Sequence, residues 1–443
     1  MSLRQPDAAT GGRLRAPLLF AAMAALIAIE AATGGWNTAL GIVNMGLISA
    51  VLALGINMQW GYAGLFNTGI VGFLALGGLA PVLVAMPSTP GAFSGGGPGI
   101  ALAALVALAS VIAAIAVNRR LRGRPRAVAI IAVLGAGFFA YRALFDPAVA
   151  MIQAINPSAQ GNLGGLGLPV LLAWPVGAMF AAGAAWIIGK TALGLRSDYL
   201  AIATLGIGEI IVAVLRNEEW LSRGVMNVNG IPRPWPVPYE VQLQADPAFV
   251  SRMAGLGVDP VTGSTIMVKL LYTGLFLIVL LALIWAAQMA LKSPWGRMMR
   301  AIRDNETAAA AMGKDVTRRH LQIFVIGSAV CGLAGAMMIT LDGQMTPGSY
   351  NPLRYTFLIW VMVIVGGSGN NWGSVLGGML IWYLWIKAEA WGPVLMSVIT
   401  SGMAEGALKS HLLDSAAHMR LFTMGLILLL VLRFAPRGLL PEK

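Results

Sequence analysis

The chain has 443 residues, 58% of them hydrophobic and 11% charged, with 30 Lys and Arg against 18 Asp and Glu for a formal net charge of +12. A soluble domain carries about 25% charged residues, so a soluble globular protein is excluded. The apolar runs are continuous rather than alternating, which excludes a β-barrel. The basic residues gather at the ends of those runs, a sign of membrane topology rather than of nucleic-acid binding. A crossing needs about 20 apolar residues, and on that measure the expectation is an all-α polytopic membrane protein of about 10–12 transmembrane helices, some broken or re-entrant. The single cysteine, Cys331, sits in an apolar stretch and leaves no intrachain disulfide to form.

A basic tail, 1–16, leads into an apolar run that continues to Ala32 with no cleavage site after a short core, so it reads as a retained anchor. The predicted crossings are 17–34, 38–58, 63–86, 99–117, 127–145, 169–189, 197–215, 265–289, 321–341, 354–367, 373–390 and 419–434. The crossing at 354–367 is short enough to be re-entrant. Together they make a permease domain over 17–434, followed by a C-terminal tail, 435–443. Alternation with both termini in the cytoplasm puts Arg119, Arg120, Arg122, Arg124, Arg126, Lys190, Arg196, Arg433, Arg437 and Lys443 inside. The outer segment 216–264 then holds four basic against five acidic residues and the proline cluster Pro232, Pro234, Pro236 and Pro238. A second outer segment, 391–418, runs into KSHLLDSAAHMR at 409–420, which suits an amphipathic surface helix. Residues 118–168 add a basic patch, an extra crossing and a Gly-rich loop.

The loop 292–320 carries seven Lys and Arg, which fixes it in the cytoplasm. Its centre reads as a capped helical rod over 305–312. Asp304 is the expected N-cap, Glu306 favours the positive end of the helix dipole, and Ala308 to Ala311 have the highest helix propensity. Gly313 is the expected left-handed stop. The rod is expected to dock into a separate cytoplasmic protein.

No catalytic constellation is present. His320, His411 and His418 lack metal-ligand spacing, and GAAWIIGKT at 183–191 has five residues between its glycines where a phosphate loop needs four. The telling groups are ionisable residues in apolar segments, because each is costly in lipid. Glu209 lies in SDYLAIATLGIGEIIVAV and either lines the solute path or braces a neighbouring helix. Glu30 reads as structural, and Lys387 and Glu389 lie near a membrane end. Two Gly-rich breaks, at 61–78 and 365–378, interrupt membrane segments. Unwound backbone is tolerated there only when packed in protein or lining a cavity, and breaks in corresponding halves point to a substrate path. Asn67, Thr68, Asn370 and Asn371 are then candidate path residues, with plain small-residue helix packing as the alternative.

SDYLAIATLGIGEII at 197–211 is close to the pattern GDYLAIVTLGFGEI. RAIRDNETAAAAMGKDVTRRHLQIFVIGSAVCGLAGAM at 300–337 looks like a coupling loop and its following helix, and VGGSGNNWGSVLGG at 365–378 is followed by RFAPRGLL near the C-terminus. These three stretches resemble the LivM-type permeases of bacterial branched-chain amino acid ABC importers. The resemblance implies an ABC importer permease bundle in the inner membrane, with Arg303, Asp304, Glu306, Ala308, Ala309 and Gly313 coupling it to an ATPase. It implies a second, LivH-like permease, two ATPase subunits of the LivG/LivF kind that bind ATP and Mg, and a periplasmic solute-binding protein. No cofactor, metal or bond chemistry is expected in this chain. Residues 118–168 look like an insertion, and NVNGIPRPWP at 227–236 follows the family's Gly-Pro-Asn-Gly-Ile loop only loosely. A permease for urea, short amides or another small polar solute is the alternative, and an ion-coupled secondary transporter is the reading from another class.

Overall fold

The computed structural model describes residues 8–155, 161–403 and 406–442, so Arg4 of the predicted basic tail and Lys443 lie outside the described residues. In chain order come α1 (Ala8–Gly34), α2 (Trp36–Ile56), α3 (Ile70–Ala85), the short α4 (Ala92–Gly95), α5 (Gly97–Arg120), α6 (Arg124–Gln153), α7 (Val170–Ala192) and α8 (Ser197–Asn217). A mostly irregular stretch with α9 (Glu219–Ser222), α10 (Glu240–Ala245) and α11 (Pro247–Gly255) leads to α12 (Pro260–Lys292). Then follow α13 (Pro294–Asp304), α14 (Glu306–Ala311), α15 (Val316–Asp342), α16 (Leu358–Gly366), α17 (Asn371–Thr400), α18 (Ala407–Asp414) and α19 (Met419–Phe434). Each of the twelve predicted crossings falls on a helix. Among the described residues, eight helices are long and apolar enough to cross a membrane, and two apolar helices, Ile70–Ala85 and Leu353–Gly366, are shorter.

The helix ends follow local chemistry. Asp259 caps α12 ahead of Pro260, and Ser293 caps α13 ahead of Pro294. Asp315 caps α15, and Asn370 accepts from Trp372 and Gly373 at the start of α17. A short acceptor side chain satisfies backbone N–H groups that have no partner inside the helix, and proline in the first turn loses nothing there.

Burial sorts the helices. The segment Trp36–Gly61 has 89% of its apolar window inside the protein and Val316–Asp342 has 78%, whereas Arg124–Gln153 has none. The centre is therefore α2, α3, α15, α16 and the first half of α17, with α1, α7, α8, α12 and α19 around it. Close approach of α3 and α15 depends on glycine, since a Cβ at Gly77 would sit 1.9 Å from the Gly332 carbonyl oxygen. The hairpin of α5 and α6 packs mainly on itself and reaches the rest at α4 and through Phe145, whose ring meets Trp220 edge-on at 5.7 Å.

Connectivity gives the bundle a basic end, carrying 119–126, 190–196, 292–320 and the C-terminal segment, and an opposite end. At the opposite end Val228–Asn229 pairs antiparallel with Gln344–Met345, joining the two connections there. Residues 353–366 run from the neighbourhood of Arg216, at the opposite end, to that of Leu439 and Leu440, at the basic end. They pass through the bundle rather than turning back.

Candidate functional site

The basic end brings four parts of the chain to one place. The first is the turn after α2, where Asn57–Gly61 widens into a π-helical turn before the irregular stretch 64–69. The second is the break 367–370 between α16 and α17. The two Gly-rich breaks touch, and a Cβ at Gly61 would lie 2.5 Å from the Gly369 nitrogen. The third is the C-terminal segment, which lies against the second break: Leu439 N donates to Val365 O at 2.8 Å and Leu440 N to Gly366 O at 2.9 Å. Asn370 Nδ2 donates to Pro441 O at 3.2 Å.

The fourth part is the 292–320 loop, and Arg303 fastens it to the others. One guanidinium nitrogen donates to the Gly61 carbonyl and, at 2.8 Å, to Glu442 Oε2. Burial opposes the charge of Arg303, but hydrogen bonds and attraction from Glu442 and Asp304 outweigh it and raise its pKa above the ordinary arginine value. Arg303 sits at the end of α13, an amphipathic helix that buries Gly296, Met299 and Ile302. Ala309 of α14 packs on Ile302 and Val316, which holds the two short helices together.

The predicted rod is present in shorter form. Its helix is Glu306–Ala311, about 9 Å long at 1.5 Å per residue. Its cap is Asn305, whose side chain accepts from Ala308 N at 2.9 Å, and not Asp304, which is the last residue of α13. The reason is that α13 already consumes Asp304 as a helical residue, leaving the extended backbone of Asn305 to start the next helix. Gly313 has φ 74° and ends the rod in the left-handed conformation, as expected. Glu306 and Ala308 face outward, and Met312 at its tip is 79% exposed.

The predicted path residues divide into two groups. Asn67, Asn370 and Asn371, with Thr68, knit the breaks together. Asn67 is 1% exposed and donates to Gln59 Oε1 at 2.8 Å, and Gln59 in turn reaches Phe324 O and Ser328 of α15. Trp360 Nε1 of α16 donates to Asn67 O at 3.0 Å. Thr68 N donates to Thr204 of α8 at 3.1 Å, and its hydroxyl donates to Ala201 O. Asn371 Oδ1 accepts from Asn57 Nδ2 at 3.1 Å and from the Tyr62 hydroxyl. Every one of these contacts is internal to the chain. The sequence reading missed Asn57, Gln59, Tyr62 and Glu442. Polar residues closing an apolar run, NMQW at 57–60, were the available sign for the first two.

Glu209 is in the other group. It stands exposed on α8, twelve residues from the start of a 21-residue helix, with no ion-pair partner among the described residues. The buried side of α8 is Leu200, Ala201, Thr204, Gly208, Val212 and Leu215, packed toward α3. The outward side runs Ile202, Gly206, Glu209 and Ala213. The other two carboxylates singled out from the sequence are paired. Glu30, 4% exposed, bridges to Lys387, and Glu389 bridges to Arg420, which also lies over the Trp385 ring at 4.7 Å. Among the described residues no group of three His, Cys, Asp or Glu is placed to hold a metal ion.

The family model described as "Branched-chain amino acid transport system / permease component" matches residues 127–432. The high-affinity branched-chain amino acid transport system permease protein LivM of Escherichia coli is 31% identical over 47% of this chain and 48% of its own length. The chain thus spans about half the length of that relative. The probable LivM of Methanocaldococcus jannaschii is 26% identical over 89% of this chain and 90% of its own. The probable LivH of the same organism is 28% identical over 25% of this chain and 34% of its own. No solved structure matches. A model match over more than half the chain, on a multi-pass helical bundle whose charged loop is latched to its helix breaks, places this chain in the family of branched-chain amino acid transport system permease components, with a resemblance of the LivM type.

Proposed function

We propose that the chain is a membrane permease of an ABC importer that carries branched-chain or other hydrophobic amino acids into the cytoplasm by ATP-driven alternating access. Its partners would be a second, homologous permease, two ATPase subunits that hold the ATP and Mg, and a periplasmic solute-binding protein. The observation that carries this reading is the Arg303 latch. An exposed helix, α14, packs on α13, whose Arg303 holds the first break directly at Gly61 and the second through Glu442 of the C-terminal segment, so a force on α14 reaches α2, α3, α16 and α17 together. Arg303, Asp304, Glu306, Ala308, Ala309 and Gly313 form the coupling element in this scheme. In the same scheme Glu209 faces the second permease across the solute path, because a carboxylate near mid-membrane needs protein or water beside it. The internal bonds of Asn67, Thr68, Asn370 and Asn371 support a hinge role for them over direct solute contact. Glu30 is already matched by Lys387, which leaves Glu209 as the unpaired member of the two coupling carboxylates read from the sequence and weakens the secondary-transporter reading.

The test is leucine uptake into proteoliposomes holding this chain with its partner permease, ATPases and binding protein. Glu306→Arg and Gly313→Pro are expected to lower uptake per ATP hydrolysed at least tenfold while the complex still assembles. Uptake by this chain alone, driven by an ion gradient, would overturn the assignment.

A further inference from the structure

A groove of about 400 Å³ opens on the side of the bundle between α2, α12 and α15. It runs from the basic ends of α2 and α12 to the middle of α15, against Leu54 and Met58, Ala286 and Ala290, Ile326 and Val330. Its walls are apolar except at one lip, where Ser293 and Trp295 close it. That lip is basic. Gln322 Oε1 accepts from Trp295 Nε1 at 3.2 Å and from Arg319 at 2.9 Å, which places the Arg319 guanidinium beside the mouth. Arg297 donates to the carbonyl of Lys292, next to Ser293, and Arg300 to that of Leu291. The 292–320 segment holds seven basic residues against three acidic ones. Of the acids, Asp304 is turned to Arg303, and Asp315 caps α15.

We infer that this groove binds one acyl chain of an anionic phospholipid, with its phosphate on Arg319 and Arg297. The charge bias that keeps basic loops inside makes the leaflet at this end the cytoplasmic one. Indole rings and basic side chains sit at the level of lipid headgroups, and anionic lipids enrich that leaflet. An apolar slot below a tryptophan and two arginines matches a tail below a phosphate. It does not match a soluble amino acid, which would leave its own charges in the apolar slot unpaired. The site is separate from the latch and from Glu209, and does not depend on what the chain transports.

The experiment is native mass spectrometry of the full chain, purified in detergent and titrated with dioleoyl phosphatidylglycerol or dioleoyl phosphatidylethanolamine. One phosphatidylglycerol adduct should survive activation and outcompete phosphatidylethanolamine at least fivefold. Arg319→Gln with Arg297→Gln should bring the two lipids to parity, since each basic residue near a membrane surface contributes roughly fivefold. Ala290→Trp should remove the adduct by filling the groove. If that variant does not accumulate folded, Ala286→Phe, from an exposed position one turn away, plugs the same slot. Equal binding of the two lipids by the unaltered chain, or a retained adduct in a folded groove-filled variant, would overturn the proposal. Loss of the adduct only when the second permease is present would also overturn it, by showing that protein covers the groove.

Discussion

Single side chains decide how this bundle is held at both ends. The Glu30–Lys387 pair is the clearest case, with the two side chains 5% and 17% exposed. Removing one member of a buried pair leaves an uncompensated charge and costs about 3–5 kcal/mol, whereas replacing both by apolar groups is often neutral. Lys387→Met should therefore lower the melting temperature in detergent clearly, and Glu30→Leu added to it should restore most of the loss. A double variant as unstable as the single one would show that the pair has another role. Arg303 makes a different kind of contact, partly exposed and joining separate segments of the chain rather than filling a core. Arg303→Ala is expected to leave the melting temperature within a few degrees while uncoupling uptake from hydrolysis several-fold, and Glu442→Gln should do so less severely because the Gly61 bond remains. Equal coupling in both variants and the unaltered protein would remove the latch from the mechanism. The sequence exposed Glu30 and Glu209 as candidates because charge inside an apolar run stands out, and Arg303 through its place in the basic coupling loop. It did not expose their partners. Asn57 and Asn371 are 314 positions apart, and nothing in a single chain read alone says that two such asparagines meet.

At the level of helices, hydropathy was a sufficient guide to where they lie, because continuous apolar runs of crossing length have few other uses in a chain this poor in charge. It was a poor guide to the loop 292–320. There α13 mixes three arginines among its eleven residues with a narrow stripe of Gly296, Met299 and Ile302, too short to dominate a window, so one rod was expected where two helices stand. The same mixing moved the cap from Asp304 to Asn305. Glycine spacing was legible as close packing but not as which helices pack. Gly77→Val tests that packing directly. The added side chain meets the Gly332 carbonyl and should force α3 from α15, reducing folded yield severely, while Gly183→Val, on the open face of α7 with nothing within 4 Å, should be tolerated. Similar yields for the two would contradict the α3–α15 contact.

Taken whole, the molecule is a tightly buried group of central helices with looser additions. The α5–α6 hairpin is the loosest, exposed along most of its length and joined to the rest near α4 and α9. Because it crosses twice, its loss leaves the direction of every later helix unchanged. Excision of 97–153 with a short Gly-Ser bridge is expected to give a folded, membrane-inserted protein with a melting temperature lowered by only a few degrees. Failure to fold would show that the hairpin scaffolds the centre. The extra crossing was readable from composition, and its peripheral position was not, since apolarity reports lipid and protein neighbours alike.

The bond between Glu30 and Lys387 also sets a schedule for assembly. Ribosomes add about 5–20 residues per second, so the first helix emerges tens of seconds before the helix that matches its carboxylate, roughly 360 residues later. During that interval α1 must either rest shallow at the headgroups or be sheltered by the insertion machinery. Nascent-chain crosslinking at Glu30 should accordingly find the translocon until α17 has emerged, and α17 thereafter.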